Sequence, residues 1–410
     1  MLATTVAATT DMGCDYVSEA EELKDAVNSG GVEAGRTWLE RQLDKWKKIP
    51  LNVAVIGRSG VGKSSFINAI RHLTADDEGG APVGVKDTTV DVHHSYPHPS
   101  NPLLKFCDLP GVGTGRFPKE KYLSVIEVDH FDFFLLITAD RFTEDDTWLG
   151  REFDKRNKKY FFVRTKVGAD IANNKKAHPK THKEDDVLRV IRESTQEHLK
   201  ENGCENVPVF LIDSYKLNKF DFDLLECRLV EYFPIFKKAA LVLSLQATSK
   251  KIISLKVTEL RSRMWKRALL SAAVGLIPLP YVGMKMDIDI VAAETEFYFT
   301  QLGLDEMPLK RHAELTQTDY ESLKAIVVST FGSFEIRAIV DRCVKDFAIV
   351  AISRAEEIKS YIPLIGALIA APLSYEGTYR TLELILDKME RVALEVVECA
   401  AESAASACCD

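Results

Sequence analysis

Residues 51–70, LNVAVIGRSGVGKSSFINAI, decide how this chain reads. The run from Leu51 to Ile56 is apolar enough for a buried strand. Gly57, Gly62, Lys63 and Ser64 then satisfy G-x-x-x-x-G-K-[ST], and a helix-compatible segment follows. Strand, glycine loop and helix in that order make a phosphate cradle. Gly57, Gly60 and Gly62 let the backbone curl and aim N–H groups inward, and the helix starting near Lys63 adds its positive N-terminal dipole. The expected contacts run through Ser59, Gly60, Val61 and Gly62 to Ser65. Lys63 should reach the β and γ phosphates, and the Ser64 hydroxyl should coordinate Mg²⁺, a hard ion that favours oxygen ligands.

The bulk properties fit such a protein. A chain of 410 residues suggests two or three domains, and a net charge of −8 argues against bulk nucleic-acid binding. The eight cysteines show no Cys-x-x-Cys spacing, which leaves a reducing cytosol as the simplest setting. No secretory signal is recognisable at the start, and no run reaches the roughly 18 apolar residues of a membrane span. A cytoplasmic protein, at most peripheral on intracellular membranes, is expected.

Three parts follow from the patterning. Residues 1–47 read as an N-terminal helical region, with Leu39, Leu43 and Trp46 on one helix face and Gly30–Gly31 between two helices. Residues 48–236 alternate β-rich runs (LNVAVI, LLKFCDL, DFFLLIT, YFFVRT, VPVFLI) with helical stretches, the rhythm of a largely parallel α/β sheet. Residues 237–410, rich in Leu, Ala, Lys and Glu, read as all helical.

Further motifs extend the phosphate site. KFCDLPGVG places Asp108 at a strand end, where it would hold a Mg²⁺-bound water, and Gly111 three residues on, where its amide would sense the γ-phosphate. Between the two motifs, GVKDTTVDV offers Thr88 or Thr89 as a residue closing over Mg²⁺, or else as edge-strand threonines; Thr89 is the preferred metal and catalytic candidate. The position after Gly111 is Val112, which has no group to orient a water. Intrinsic hydrolysis should then be slow, with Asp87 or a second molecule supplying the missing function.

RTKVGAD, residues 164–170, is nearly a guanine-reading loop. Thr165 and Lys166 fit, but the acid expected at the fourth place of Thr-Lys-x-Asp is Gly168. Asp170 either folds back to replace it or serves as a loop or helix-cap carboxylate, with weak or relaxed base selection as the consequence. Ser214, after the last strand, is the candidate for a backbone contact to the guanine oxygen. The alternatives are a turn at Ser214 and a nucleotide-binding regulatory or assembly protein with little hydrolysis.

With GRSGVGKSSFINAI, SYPHPSNPLLKFCDLPGVGTGRFPKEKYL, FDFFLLITADRFTEDD, YFFVRTKV and ENGCENVPVFLIDS in this order, the chain resembles the interferon-inducible immunity-related GTPases. The resemblance implies a Ras-like, mostly parallel P-loop GTPase domain between N- and C-terminal helical regions, with GTP/GDP and Mg²⁺ as ligands. It also implies GTP-dependent homodimers or homo-oligomers and association with intracellular membranes in cell-autonomous immunity. Lys63 marks the lysine-bearing subgroup.

Two apolar stretches, LLSAAVGLIPLPYVG from Leu269 and YIPLIGALIAAPL from Tyr361, read as bundle helices with turns or as amphipathic membrane contacts. Arg261, Arg263, Lys266 and Arg267 upstream of the first favour the membrane reading. Cys408 and Cys409 are candidates for palmitoylation. His93, His94 and His98 are expected as exposed strand residues.

Overall fold

A computed structural model describes residues 14–84, 94–113, 117–204, 206–233, 235–274, 282–343 and 366–406. They fall into two compact units, each discontinuous in sequence. One combines Lys47–Lys256, Glu306–Lys324 and Ala393–Asp410; the other combines Met1–Trp46, Val257–Asp305 and Ala325–Val392. The division at 47/48 and 236/237 follows composition along the chain, whereas these units follow packing. Segments of the helical C-terminal part therefore belong with the sheet.

The sheet has six strands in the order β2-β3-β1-β4-β5-β6. They are β1 (Leu51–Gly57), β2 (His94–His98), β3 (Asn101–Pro110), β4 (Phe133–Thr138), β5 (Tyr160–Arg164) and β6 (Val209–Leu211). All pairings are parallel except β2 with β3, which makes the sheet mixed and mostly parallel. The five β-rich runs of the sequence are the five parallel strands, buried on both faces and therefore nearly continuous in apolar residues. β1 lies between β3 and β4, so the chain diverges to opposite sides at its C-terminal end. Open α/β sheets form a ligand crevice at such a point.

The helices of this unit include α2 (Lys63–Ile70), α4 (Glu144–Lys155), α5 (Val167–Ala177) and α6 (Glu184–Glu201), numbered after α1 (Cys14–Leu43) and α3 (Lys119–Val125). One core joins Ile56, Leu109, Val112, Tyr122, Phe134, Phe153 and Phe162. Fully burying such side chains stabilises the fold by about 1.5–3 kcal/mol each.

In the other unit, α1 kinks at Gly30 and Gly31, whose backbones are non-helical, as the two glycines suggested. Gly31 at φ 70° needs the freedom of a residue without Cβ. Leu39 and Leu43 pack in one cluster with Trp265, Leu269 and Leu270, so the start of the first apolar stretch is core. The four upstream cations are paired within the unit: Arg261 with Asp387 and Glu390, Arg263 and Arg267 with the buried Glu294, and Lys266 with Glu19. Their charges satisfy protein carboxylates, which withdraws the electrostatic support that the sequence lent to membrane contact. Among the described residues no helix is long and apolar enough to cross a membrane. Residues 275–281 and 361–365 of the two stretches, and Cys408 and Cys409, lie outside the described residues.

His98 departs from expectation. Of the two described histidines, His94 is exposed, while His98 is buried at the end of β2, its Nδ1 accepting from Ser100 N–H at 3.2 Å. β2 pairs with β3 along one side, and alternation turns the Tyr96 and His98 side chains inward. His93 lies outside the described residues.

Candidate nucleotide site

The loop from Gly57 to Gly62 leaves the end of β1 and enters α2 at Lys63. Gly60 and Gly62 have φ of 79° and 96°, which only glycine adopts without strain. Gly57 is needed for space: a Cβ there would lie 2.3 Å from Ile137 O of the neighbouring strand. A Cβ at Gly111 would lie 3.2 Å from Arg58 N and the Gly57 carbonyl carbon, so the second motif presses its backbone against the first.

Strand register brings the two motifs together. Val55 pairs with Asp108 and Gly57 with Pro110 across β1 and β3. The result is a polar cluster at the foot of the loop. Lys63 Nζ donates to Gly57 O at 2.9 Å and lies 3.6 Å from Asp108 Oδ1, and Ser64 Oγ donates to Asp108 Oδ2 at 3.4 Å. Burial pushes the Asp108 carboxyl up from its ordinary range, with Lys63 and Ser64 opposing the shift.

These donors suit a hard divalent cation. Asp108 Oδ1 is buried without a hydrogen-bond partner, beside a serine hydroxyl, and among the described residues no cage of three or more His, Cys, Asp or Glu side chains exists. One hydroxyl and one carboxylate are the sparse protein contribution usual for Mg²⁺, which keeps waters and phosphate oxygens around it. Thr89 and Asp87, the other candidates for this end of the site, lie outside the described residues.

At the opposite end, β5 delivers Thr165 and Lys166 against the loop. Thr165 Oγ1 lies 2.5 Å from Val61 O, and Lys166 Nζ donates to Gly60 O at 2.8 Å. Lys166 holds φ at 58°, a left-handed conformation that turns the chain from β5 into α5. A cavity of about 240 Å³ is lined by Ser59, Gly60, Gly62, Lys63, Ser64, Ser65, Asp108, Thr165, Lys166 and Ser214, together with Asp213 and Tyr215. Val61 contributes its carbonyl to the brace on Thr165 and is itself buried. Tyr215 OH and Ser65 Oγ are hydrogen-bonded at 3.2 Å, linking the loop after β6 to α2.

Asp170 is not among these lining residues. Its Oδ2 accepts from Arg164 Nη2 at 2.8 Å. On a helix two residues correspond to a rotation of about 200°, so a side chain at 170 leaves α5 on the far side from one at 168. Of the two readings of Asp170, folding back to replace residue 168 is not what the structure displays, and the carboxylate pairs with Arg164. Instead a Cβ placed on Gly168 would lie 2.1 Å from Asp213 Oδ2: a carboxylate already occupies the space into which a residue-168 side chain would grow. Sequence reasoning chose Ser214 and passed over its neighbour. The signal was an acid at 213 in a chain lacking one at 168.

Val112 is buried in the core with Tyr122 and Ile126, so its side chain faces away from solvent. Its lack of a hydrogen-bonding group follows from that packing.

A family profile described as interferon-inducible GTPase (IIGP) matches residues 17–397. Interferon-inducible GTPase 1 of Mus musculus is 32% identical over 303 residues, covering 74% of this chain and 73% of that protein. T-cell-specific guanine nucleotide triphosphate-binding protein 2 of Mus musculus is 31% identical over 362 residues, covering 88% and 84%. Interferon-inducible GTPase 5 of Rattus norvegicus is 31% identical over 384 residues, covering 93% and 83%. With a match that runs through both motifs of the phosphate site and most of the helical remainder, the chain belongs to the interferon-inducible GTPase family.

Proposed function

We propose that this GTPase binds GTP with Mg²⁺ in the cavity between the Gly57–Gly62 loop and the loop after β6, and couples the nucleotide state to self-assembly. The observation that carries the reading is the convergence of Lys63, Ser64 and Asp108 at one end of the cavity with Thr165 and Lys166 at the other. On this reading the loop amides and Lys63 hold the β and γ phosphates and stabilise the charge that develops on the transferred phosphoryl group. Ser64 and Asp108 would hold Mg²⁺, with Thr89 completing the set. The ion, when bound, neutralises phosphate charge. Gly111 presses its backbone on the loop and so reports the presence of the γ-phosphate.

Attack by water requires an orienting group, and the buried Val112 cannot supply one. Asp87 or a second copy of the chain takes that role in this proposal, which makes isolated monomers slow. On the same reading the chain falls in the lysine-bearing subgroup, which Lys63 supports. Contact with intracellular membranes rests on the family resemblance, homo-oligomers on that resemblance together with Val112, and a cytoplasmic location on the cysteine pattern.

GTP turnover per molecule, measured across a wide range of protein concentration, tests the reading. A rise in specific activity with concentration is expected. Stoichiometric GTP binding with negligible turnover at every concentration supports the second reading, favoured by Val112, of a nucleotide-gated assembly protein with little hydrolysis.

A further inference from the structure

We propose that Asp213 is the guanine-selecting residue of this chain: the carboxylate absent at Gly168 is supplied from the loop after β6 into the same space. This rests on reading the cavity as a nucleotide site and goes beyond it by assigning base selection to one side chain.

Guanine presents two adjacent donors, the ring N1–H and the exocyclic amine, and a carboxylate is the side chain that accepts both with two oxygens. The cavity-lining residues include two acids, Asp108 and Asp213. Asp108 is committed to the phosphate end by Lys63 and Ser64. Asp213 lines the cavity with Lys166 and Ser214, and its Oδ2 stands beside Gly168 near the start of α5.

Its position is fixed from both sides. Asp213 Oδ1 accepts from Tyr215 N–H at 3.0 Å, a local turn that holds the carboxylate, and Val167 N–H donates to Ile212 O at 3.2 Å, tying β6 to the start of α5. Asp213 Oδ2 is the atom that lies 2.1 Å from a Cβ built on Gly168. The two positions are thus complementary: with Asp213 in place, residue 168 has no room for a side chain, and glycine there is what admits the carboxylate. An acid at both places would clash and set two like charges together. The opposite preference holds for adenine, whose N1 is an acceptor and would meet a carboxylate lone pair to lone pair.

The test is calorimetric titration of the full chain in Mg²⁺ with GDP, inosine diphosphate and xanthosine diphosphate. Inosine lacks the exocyclic amine, and xanthine carries a carbonyl in its place. The wild type should prefer GDP to both. Asp213→Asn should lose about ten- to thousandfold in GDP affinity, the effect of one or two charge-assisted bonds. It should also bind xanthosine diphosphate more tightly than the wild type does, because the introduced amide donates to the carbonyl. Asp213→Ser should lose guanine preference, and adding Gly168→Asp to that background should restore it. Wild-type GDP affinity in Asp213→Asn without a xanthine gain overturns the assignment while leaving the nucleotide site intact. Absence of all nucleotide binding by Asp213→Asn passes the decision to Asp213→Ser/Gly168→Asp, and failure there overturns it too. A folded wild type that binds no guanine nucleotide overturns the nucleotide-site reading itself.

Discussion

Thr165 Oγ1 lies 2.5 Å from Val61 O and 3.1 Å from Thr138 O, so one buried hydroxyl joins the base-side loop to both the phosphate loop and the end of β4. Thr165→Val keeps the shape and removes the donor. Leaving a buried carbonyl unpaired costs about 1–3 kcal/mol, and because the brace orients the loop, GDP affinity should fall together with stability. Urea unfolding with and without GDP measures both.

Asp108→Asn addresses the metal. The substitution keeps the hydrogen-bonding oxygen toward Ser64 but removes the charge beside Lys63. GTP affinity in Mg²⁺ should drop toward the value measured in chelator, while the chelator value itself changes little. Equal loss in both conditions points to a damaged loop rather than a metal ligand.

Asp170, two residues beyond Gly168 on α5, offers a contrast to Asp213. Its pair with Arg164 is partly exposed, and such pairs contribute about 0–1 kcal/mol. Asp170→Asn should therefore leave GDP affinity unchanged and shift the thermal midpoint slightly. A large loss of GDP binding would return the base-reading role to Asp170.

Buried imidazoles set a pH dependence. Burial pushes His72 and His98 down to about 3, and His312 to about 4. Arg71 and Lys256 add positive charge near His98 and Arg311 near His72, while the facing His72 and His312 add theirs only once they are themselves protonated. An unfolded imidazole takes its proton near 6.5, so between there and about 3 the unfolded chain binds more protons at these positions. Stability contributed by neutral His98 is thus present above about 6.5 and lost as the pH falls toward 3. Burial raises Asp223 to about 6 and Glu226 well above its usual range, and these act in the opposite direction. The informative quantity is therefore the difference from His98→Gln, which keeps an acceptor for Ser100. Relative to wild type the variant should gain stability on acidification from pH 6.5, by at most about 1.4 kcal/mol per pH unit. Urea titrations at several pH values check the slope, and imidazole NMR at pH 5 should find His98 neutral.

Particular residues show where the sequence was sufficient. Gly57 to Ser64 form a loop whose shape is written in local spacing, because glycine conformations, strand end and helix start all lie within eight residues. Asp108 and the Thr165–Lys166 pair were equally legible as strand-end motifs, and parallel register then brings strand ends to one edge of the sheet. The five parallel strands were visible because burial on both faces demands unbroken apolar runs.

Other features depend on partners that the sequence does not pair. His98 belongs to a short strand whose sidedness is set by pairing with β3, so its burial could not be read from composition. Arg261, Arg263, Lys266 and Arg267 form a basic cluster in the sequence, but acids 27 to 247 residues away pair with them in the fold. The acid nearest to Gly168 in sequence, Asp170, is carried away by helical rotation, whereas Asp213, 45 residues downstream, is brought to 2.1 Å of the built Cβ by the parallel pairing of β5 and β6. The sequence by itself determined the fold class and the GTPase family. Which carboxylate stands beside Gly168 was decided only by tertiary structure, because neighbouring strands set that distance and spacing along the chain does not.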